Sequence, residues 1–341
     1  MEIVGKIKKA VVILAYIAIS VIIIELLLRV FNLGNVYNID PRSEIHIFKP
    51  GSKQVTIKEG FGVRNVNSFG TFDRESRQVS DSMRILLFGD SMTEAFQVYD
   101  DQVYDNIAED ILKENGLDVE IVNFGRSGYG TIDEFALYDG IKDKIAHEIV
   151  IIQFSSGDVI ENQFSKNKIV GGELVLHNRG EKESRIRSTI WRLKERSLLI
   201  NMAAARLDVY RTLYDSWRSG KKIEKMDDEV GKALNDITYE QEIYLFTILR
   251  EFKKCVENSG AKLILIQLID QTTVNGSYET AKKICEELEL GYFSLVDSLS
   301  DKEKEEVKVG FMNTKLGYGH LNKVGHKIFG NKLAELIEKE I

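Results

Sequence analysis

Short apolar runs alternate with longer amphipathic stretches from residue 83 to the C-terminus, and this alternation constrains the fold more than any other feature. The apolar runs have strand length and lie at Met83–Phe88, Val119–Phe124, Glu148–Phe154, Lys262–Leu268 and Tyr292–Val296. The other stretches have helical length and lie at Tyr104–Asn115, Ile132–Lys144, Tyr239–Asn258, Tyr278–Leu288 and Asn322–Glu340. Strands this apolar are buried on both faces, which is typical of a parallel sheet covered by helices. The sequence therefore predicts a three-layer α/β/α domain around a central parallel sheet.

The N-terminus predicts a membrane-spanning helix. The stretch Ala10–Phe31 is mostly apolar, and its charged residues are Glu25 and Arg29, which lie one helical turn apart near its far end. As a helix it would be about 33 Å long, enough to cross the bilayer core. Lysines 6, 8 and 9 precede it and favour a cytoplasmic N-terminus. We expect a retained single-pass anchor in the cell membrane with the rest of the chain extracytoplasmic. A cleaved signal peptide and a helix buried in a soluble core are the alternatives.

These features divide the 341 residues into three parts. Residues 1–32 are predicted as the anchor, 33–80 as a connecting and packing segment, and 81–341 as the α/β domain. The alternation stops at about 160–238, where a helical insertion is expected. Its basic amphipathic stretch, residues 185–200, is interpreted as surface helices packed on the core, with a lid or a membrane-surface helix as alternatives.

Charge and cysteine usage exclude several classes of protein. The net charge of −7 gives no support to nucleic-acid binding, and the sequence has no cluster of Cys and His with zinc-site spacing. Cys255 and Cys285 are predicted to be unpaired packing thiols. We expect no cofactor and no metal.

A polar turn follows the first apolar run directly. Gly89-Asp90-Ser91 ends that strand, and Met92–Ala95 has the composition of a first helical turn. Backbone N–H groups and the helix dipole at such a place can stabilise an oxyanion near Ser91. His320 lies far along the chain, just before the last helix. A serine and a histidine that the fold brings together are what nucleophilic acyl transfer requires.

Two further segments follow strands of the predicted sheet. Asn123–Gly130 follows the second strand and is rich in glycine, and Phe154–Asn162 follows the third. The carboxyl ends of parallel strands meet at one edge of the sheet, where ligands bind. We therefore expect both segments to converge with Ser91 and His320.

With these four segments the chain resembles the SGNH (GDSL-type) hydrolases, many of which are esterases, lipases or carbohydrate acyl-esterases on a flavodoxin-like α/β/α fold. The resemblance runs from about Met83 to the C-terminus, interrupted by the insertion, and Asn65–Thr71 is similar to the lead-in of membrane-anchored members. It implies that Ser91 is the nucleophile and His320 the general base. It also implies that the N–H groups of Ser91 and Gly128 bind the oxyanion.

Two positions depart from the family pattern. The family has an oxyanion-binding Asn where this chain has Gly157, and an Asp three residues before the catalytic His where this chain has Gly317. Losing one oxyanion donor typically costs about 10²–10³ in turnover. Without the carboxylate, the His320 ring depends on another group for its orientation, such as a backbone carbonyl. Asn162 and Asn313 are candidates to stand in for a missing group.

The leading hypothesis is an extracytoplasmic, membrane-anchored serine ester hydrolase. By resemblance its substrate is an acyl ester, such as an O-acetyl group of an envelope polysaccharide or a lipid ester, and transfer of the acyl group to a sugar hydroxyl is equally open. The alternative is a catalytically impaired relative that binds glycan or lipid or acts as an envelope scaffold. A phosphate or nucleotide binder is a poorer interpretation, since the chain has no Gly-x-x-x-x-Gly-Lys-Ser/Thr loop.

Overall fold

The fold is described from a computed structural model. It covers residues 2–30, 48, 50–51, 53–56, 59–75, 82–176, 193, 196–200, 203, 236–269 and 273–341. Most of the predicted insertion, including most of its basic stretch, lies outside the described residues, as do residues 31–47.

Nine strands and nine α-helices are described. The strands are β1 (Lys53–Thr56), β2 (Gly62–Asn65), β3 (Met83–Phe88), β4 (Val119–Asn123), β5 (Ile149–Gln153), β6 (Lys168–Val170), β7 (Glu173–Val175), β8 (Lys262–Gln267) and β9 (Gly291–Ser294). The helices are α1 (Glu2–Val30), α2 (Ser91–Glu94), α3 (Tyr104–Glu114), α4 (Thr131–Ile141), α5 (Asp158–Phe164), α6 (Tyr239–Asn258), α7 (Ser277–Glu287), α8 (Asp301–Glu305) and α9 (Lys323–Glu340).

The central sheet has five parallel strands in the order β4-β3-β5-β8-β9. Counted along the chain this order is 2-1-3-4-5, which is the flavodoxin-like arrangement. Its strand order reverses beside β3, and the crevice at the carboxyl ends of the strands lies at that point. The predicted fold class is confirmed, and the residue that follows β3 is placed where such sheets bind ligands.

The central-sheet strands β3, β4, β5 and β8 bury both of their faces, as the apolar runs predicted, whereas the edge strand β9 is half-buried. In β3, Ile85 and Leu87 pack into one core with α3 and α9, whereas Leu86 and Phe88 pack into a second core with α4, α6 and α7. All four side chains are fully buried. The period-two alternation of a strand sends neighbouring residues to opposite faces, so helices must cover both.

The segment between the anchor and the sheet packs on the turn after β3. β1 and β2 form an antiparallel pair, and the fully buried Arg64 of β2 reaches into the domain. Its guanidinium pairs with Asp100 at 2.6 Å and donates to the carbonyls of Glu94 and Ala95 at 2.9 and 3.0 Å. These carbonyls lie at the end of α2, so Arg64 ties the segment to the helix that starts at Ser91.

The N-terminal helix α1 is long and apolar. Its stretch Gly5–Val30 has a mean hydropathy of 2.9 and is almost entirely unburied, so the helix is not a buried core element. Near its end, Glu25 accepts hydrogen bonds from the amides of Leu198 and Leu199 at 3.1 and 3.0 Å. Arg29 donates to the carbonyl of Arg196 at 2.7 Å. By length and composition α1 is a candidate membrane span.

Candidate active site

Ser91 is the first residue of α2 and follows β3 after a tight turn. Asp90 caps the helix, because its Oδ1 accepts a hydrogen bond from the amide of Met92 at 2.8 Å. Gly89 is needed for close packing, since a Cβ there would lie 2.3 Å from Thr93 Oγ1. The turn therefore has little freedom, and it presents the Ser91 hydroxyl at the carboxyl end of the sheet.

His320 lies in the loop before α9. Asn322 caps that helix by accepting hydrogen bonds from the amides of Val324 and Gly325 at 2.9 and 3.1 Å. Nε2 of His320 lies 2.9 Å from Oγ of Ser91, although 229 positions separate the two residues. The fold thus brings together the serine and the histidine singled out in the sequence.

A carboxylate that the sequence analysis missed completes this arrangement. Oε2 of Glu59 lies 2.6 Å from Nδ1 of His320, and Oε1 accepts a hydrogen bond from the amide of the same residue at 3.0 Å. With Nδ1 protonated and donating to Glu59, Nε2 is left to accept the proton of the Ser91 hydroxyl. Glu59, His320 and Ser91 therefore form one hydrogen-bonded chain.

Glu59 can approach this closely because Gly319 has no side chain. A Cβ on Gly319 would lie 2.3 Å from Oε1 of Glu59, and Gly319 has a φ of +98°. The carboxylate comes from the segment before the sheet, between β1 and β2. No local sequence motif identifies Glu59 as a functional residue. The one local signal is that Gly60 follows it, which is consistent with a turn at this place.

Gly128 lies in the turn after β4 and has a φ of +76°. Its neighbour Ser127 is held by Glu94 of α2, whose Oε2 accepts a hydrogen bond from the Ser127 amide at 2.8 Å. Glu94 is buried and follows Ser91 by three residues. The Gly128 turn is thereby tied to the helix that carries Ser91, and within the described part of the chain no acceptor is assigned to the Gly128 amide.

The two departures from the family pattern have different consequences. Gly157 has an ordinary helical conformation, and among the described residues a Cβ there would meet only Ser155 Oγ, at 3.5 Å, so an asparagine side chain would find space at this position. At Gly317 no heavy atom of the described residues lies within 4 Å of the position that a Cβ would take. The carboxylate expected there is supplied by Glu59 instead.

Asn162 and Asn313 were proposed to stand in for a missing catalytic group. Their hydrogen bonds within the described residues go to the main chain and not to Ser91 or the His320 ring. Asn162 is buried, and its Oδ1 accepts a hydrogen bond from the amide of Ile132 at 2.9 Å, at the start of α4. Asn313 binds the main chain of Gly60, beside Glu59. Asn162 therefore has a structural role in the fold, whereas Asn313 lies one residue from the carboxylate.

Three carboxyls lie close together at the Ser91 turn, with Glu134 and Asp158 buried and Asp90 half-buried. Burial raises the pKa of Asp90, against hydrogen bonds from the Met92 amide and the Ser155 hydroxyl that lower it. Burial also raises the pKa of Glu134 and Asp158 well above the ordinary range; the charges of Asp90 and Glu161 add to both shifts, and the charge of Glu134 adds to that of Asp158. These groups hold protons at pH values where exposed carboxyls are ionised. Within the described residues, no group of three or more His, Cys, Asp or Glu side chains is arranged to hold a metal ion.

No family model matches the sequence, and no curated protein matches it. Solved structures are similar in fold. The psychrotrophic esterase EstA from Pseudoalteromonas sp. is 11% identical with a TM-score of 0.42, over 75% of this chain and 97% of that chain. A lipolytic protein of the G-D-S-L family from Veillonella parvula is 10% identical with a TM-score of 0.43, over 76% and 100%. The lipase/acylhydrolase from Enterococcus faecalis is 14% identical with a TM-score of 0.43, over 76% and 96%. At these identities the likeness concerns the chain fold, and the chemistry rests on the side chains described above.

Proposed function

We propose that this protein is a membrane-anchored serine ester hydrolase of the SGNH type. The observation that carries the proposal is the hydrogen-bonded chain from Glu59 through His320 to Ser91, with distances of 2.6 and 2.9 Å. A nucleophile, a base within reach of its proton, and a carboxylate that orients the base are the groups that acyl transfer through a serine needs.

In the first half-reaction Ser91 Oγ attacks the ester carbonyl, and Nε2 of His320 takes the hydroxyl proton. Glu59 stabilises the imidazolium that forms and keeps the ring oriented. The attack forms the bond between the carbonyl carbon and Oγ and leaves a tetrahedral oxyanion. When the carbonyl re-forms, the bond to the alcohol oxygen breaks, and the alcohol leaves with the proton from His320.

In the second half-reaction His320 takes a proton from water, which attacks the acyl-enzyme. The bond between the acyl carbon and Oγ breaks, the acid is released, and Ser91 regains its proton. A sugar hydroxyl in place of water would give acyl transfer by the same steps.

The oxyanion of both steps would be bound by the amides of Ser91 and Gly128. Ser91 is the first residue of the one-turn helix α2, and its amide has no acceptor within the helix, so it can donate to an oxyanion. Because Gly157 contributes no side-chain donor, we expect turnover about 10²–10³ below that of a site with three donors. The assembled carboxylate and base favour a slow enzyme over the impaired-relative alternative.

We further propose that α1 is retained as an anchor. The contacts of Glu25 and Arg29 with residues 196–199 support this, because cleavage after the helix would remove them. Lysines 6, 8 and 9 favour a cytoplasmic N-terminus. The active domain would then act outside the membrane on acyl esters of envelope glycans or lipids.

The activity is tested with the full-length protein purified in detergent, with p-nitrophenyl acetate as substrate and a fluorophosphonate probe. We expect hydrolysis and labelling that Ser91→Ala abolishes and that the exposed control Ser68→Ala leaves unchanged. Equal hydrolysis by wild type and Ser91→Ala would remove the nucleophile assignment.

The anchor is tested separately. Membranes washed with alkaline carbonate should retain the protein, and the intact mass of the protein should include residues 1–30.

A further inference from the structure

Asn313 holds the peptide group that follows Glu59. Its Oδ1 accepts a hydrogen bond from the Gly60 amide at 2.9 Å, and its Nδ2 donates to the Gly60 carbonyl at 3.0 Å. A primary amide has N–H groups that donate and an oxygen that accepts, so one asparagine side chain can bind both main-chain groups of a single residue. The two bonds join positions 253 residues apart.

The atoms around Gly60 are so close that its backbone has little room to move. Gly60 has a φ of +67°, and a Cβ there would lie 2.6 Å from the Gln97 carbonyl oxygen and 2.7 Å from a ring carbon of Phe311. Only glycine fits between these groups in this conformation. The residue next to Glu59 is therefore wedged against Phe311 on one side and bound by Asn313 on another.

The loop that carries Asn313 also carries the base. The amide of Gly310 donates to the carbonyl of His320 at 2.8 Å, and the amide of Gly317 donates to the carbonyl of Val309 at 2.9 Å. Nδ2 of Asn322 donates to the Gly310 carbonyl at 3.1 Å. These bonds tie both ends of the turn 311–316 to the chain around His320, so the turn that carries Asn313 is anchored to the loop that carries the base.

We infer that Asn313 is a positioning residue that keeps the Glu59 carboxylate on the imidazole of His320, an inference that rests on the proposed function. Glu59 and His320 are both partly open to water, with side-chain exposures of 21% and 29%. The carboxylate would therefore exchange its ring contact for water if its backbone moved. Asn313 prevents this by fixing the Gly60 peptide to the loop that bears His320.

The inference is tested by a double-mutant cycle in the full-length protein. Asn313→Ala should lower kcat for p-nitrophenyl acetate by about 10²-fold, with little change in KM, because the catalytic groups are displaced while the oxyanion amides stay in place. The pair Asn313→Ala with Glu59→Gln should be no slower than Glu59→Gln alone, since Asn313 acts only through Glu59. Thr314→Ala is the matched control, because it changes the same loop without touching Gly60, and it should keep near wild-type activity.

A second readout separates positioning from a general loss of structure. The His320 ring proton on Nδ1 should give a far-downfield NMR resonance in the wild type and in Thr314→Ala. It should be lost in Asn313→Ala and weakened in Asn313→Asp, which keeps only the acceptor for the Gly60 amide. Additive losses in the double mutant, or an unchanged resonance in Asn313→Ala, would overturn the inference while leaving Ser91 and His320 as the proposed pair. Failure of Ser91→Ala to reduce hydrolysis would instead overturn the proposed function itself.

Discussion

Glu59 binds His320 through both of its carboxylate oxygens, one on the ring Nδ1 at 2.6 Å and one on the main-chain amide at 3.0 Å. The two residues are 261 positions apart, so the contact exists only in the folded chain. The hydrogen bond from the His320 amide fixes the carboxylate relative to the backbone of His320. The second hydrogen bond, to Nδ1, therefore also fixes the orientation of the imidazole ring. This geometry turns the imidazole so that its other nitrogen faces Ser91.

Replacing Glu59 with glutamine should lower kcat by roughly 10²–10⁴ with KM little changed. A neutral amide does not stabilise the imidazolium, and its donor group favours the wrong ring tautomer. Steady-state hydrolysis of p-nitrophenyl acetate measures the effect. Glu114→Gln is the control, because Glu114 is exposed at the end of α3. Its kcat should equal that of the wild type. Retention of most of the activity by Glu59→Gln would contradict the role of this carboxylate.

Two neighbouring glycines offer a matched pair of substitutions. Gly319→Ala places a Cβ 2.3 Å from Oε1 of Glu59, whereas the Cβ of Gly317→Ala meets no heavy atom within 4 Å. Both positions have positive φ, of +98° and +79°, so both variants carry backbone strain of about 1–2 kcal/mol.

Only Gly319→Ala should lose activity to the extent of Glu59→Gln, because only it displaces the carboxylate. Thermal unfolding checks that the two variants are comparably stable, and hydrolysis rates compare their activities. Similar rates for the two alanine variants would mean that close approach at Gly319 is not needed.

Gly157→Asn should raise the hydrolysis rate. The position has φ −67° and ψ −28°, which any residue adopts, and its Cβ would meet only Ser155 Oγ at 3.5 Å. An asparagine there would add the side-chain donor that the site lacks, for a gain of up to about 10²-fold in kcat. Gly157→Ala adds the Cβ without the donor and is the control. A rate for the asparagine variant no higher than that of the alanine variant would count against an oxyanion site beside Gly157.

Glu134→Gln should change how stability depends on pH. Both carboxylate oxygens of Glu134 are buried and have no hydrogen-bond partner among the described residues, and burial, followed by the charges of Asp90 and Glu161, raises the pKa of this group well above its ordinary value of 4.5. The folded protein therefore keeps a proton that the unfolded chain releases, so stability falls as the pH rises above about 4.5, by at most about 1.4 kcal/mol per pH unit from this group.

In Glu134→Gln this fall of stability with rising pH is removed, because glutamine does not ionise. The melting temperature of this variant should exceed that of the wild type at pH 8 by more than it does at pH 4.5. Glu287→Gln, an exposed control, should follow the wild type at both pH values. If the melting temperatures of Glu134→Gln and the wild type changed with pH in parallel, Glu134 would ionise normally in the folded protein.

Most of the architecture was predictable from local pattern. The strand predicted at Met83–Phe88 and the helix predicted at Tyr239–Asn258 have the bounds found in the structure. Other elements differ by a few residues at their ends, as β5 does, which spans Ile149–Gln153 within the predicted Glu148–Phe154. Burial on two faces dictates the apolar runs directly, whereas element ends depend on caps and on contacts with the rest of the domain.

The proximity of Ser91 and His320 was also predictable, because strand ends and helix starts of a parallel sheet converge on one edge. The carboxylate was not. The expected position, Gly317, is close to His320 in sequence, whereas Glu59 precedes the whole sheet in a segment expected only to connect and pack. Nothing in its neighbours identifies it, since many glutamates stand beside a glycine.

The sequence by itself determined the layers of the domain, the apolar N-terminal helix and the two segments that carry a serine and a histidine. These follow from periodicity and from residue types within a few positions of one another. Only the tertiary structure decided which carboxylate binds the ring of His320, that Asn313 binds the residue next to that carboxylate, and that the described residues leave the space beside Gly157 open. Such contacts join residues hundreds of positions apart, and their geometry depends on the packing of the whole chain rather than on any local pattern.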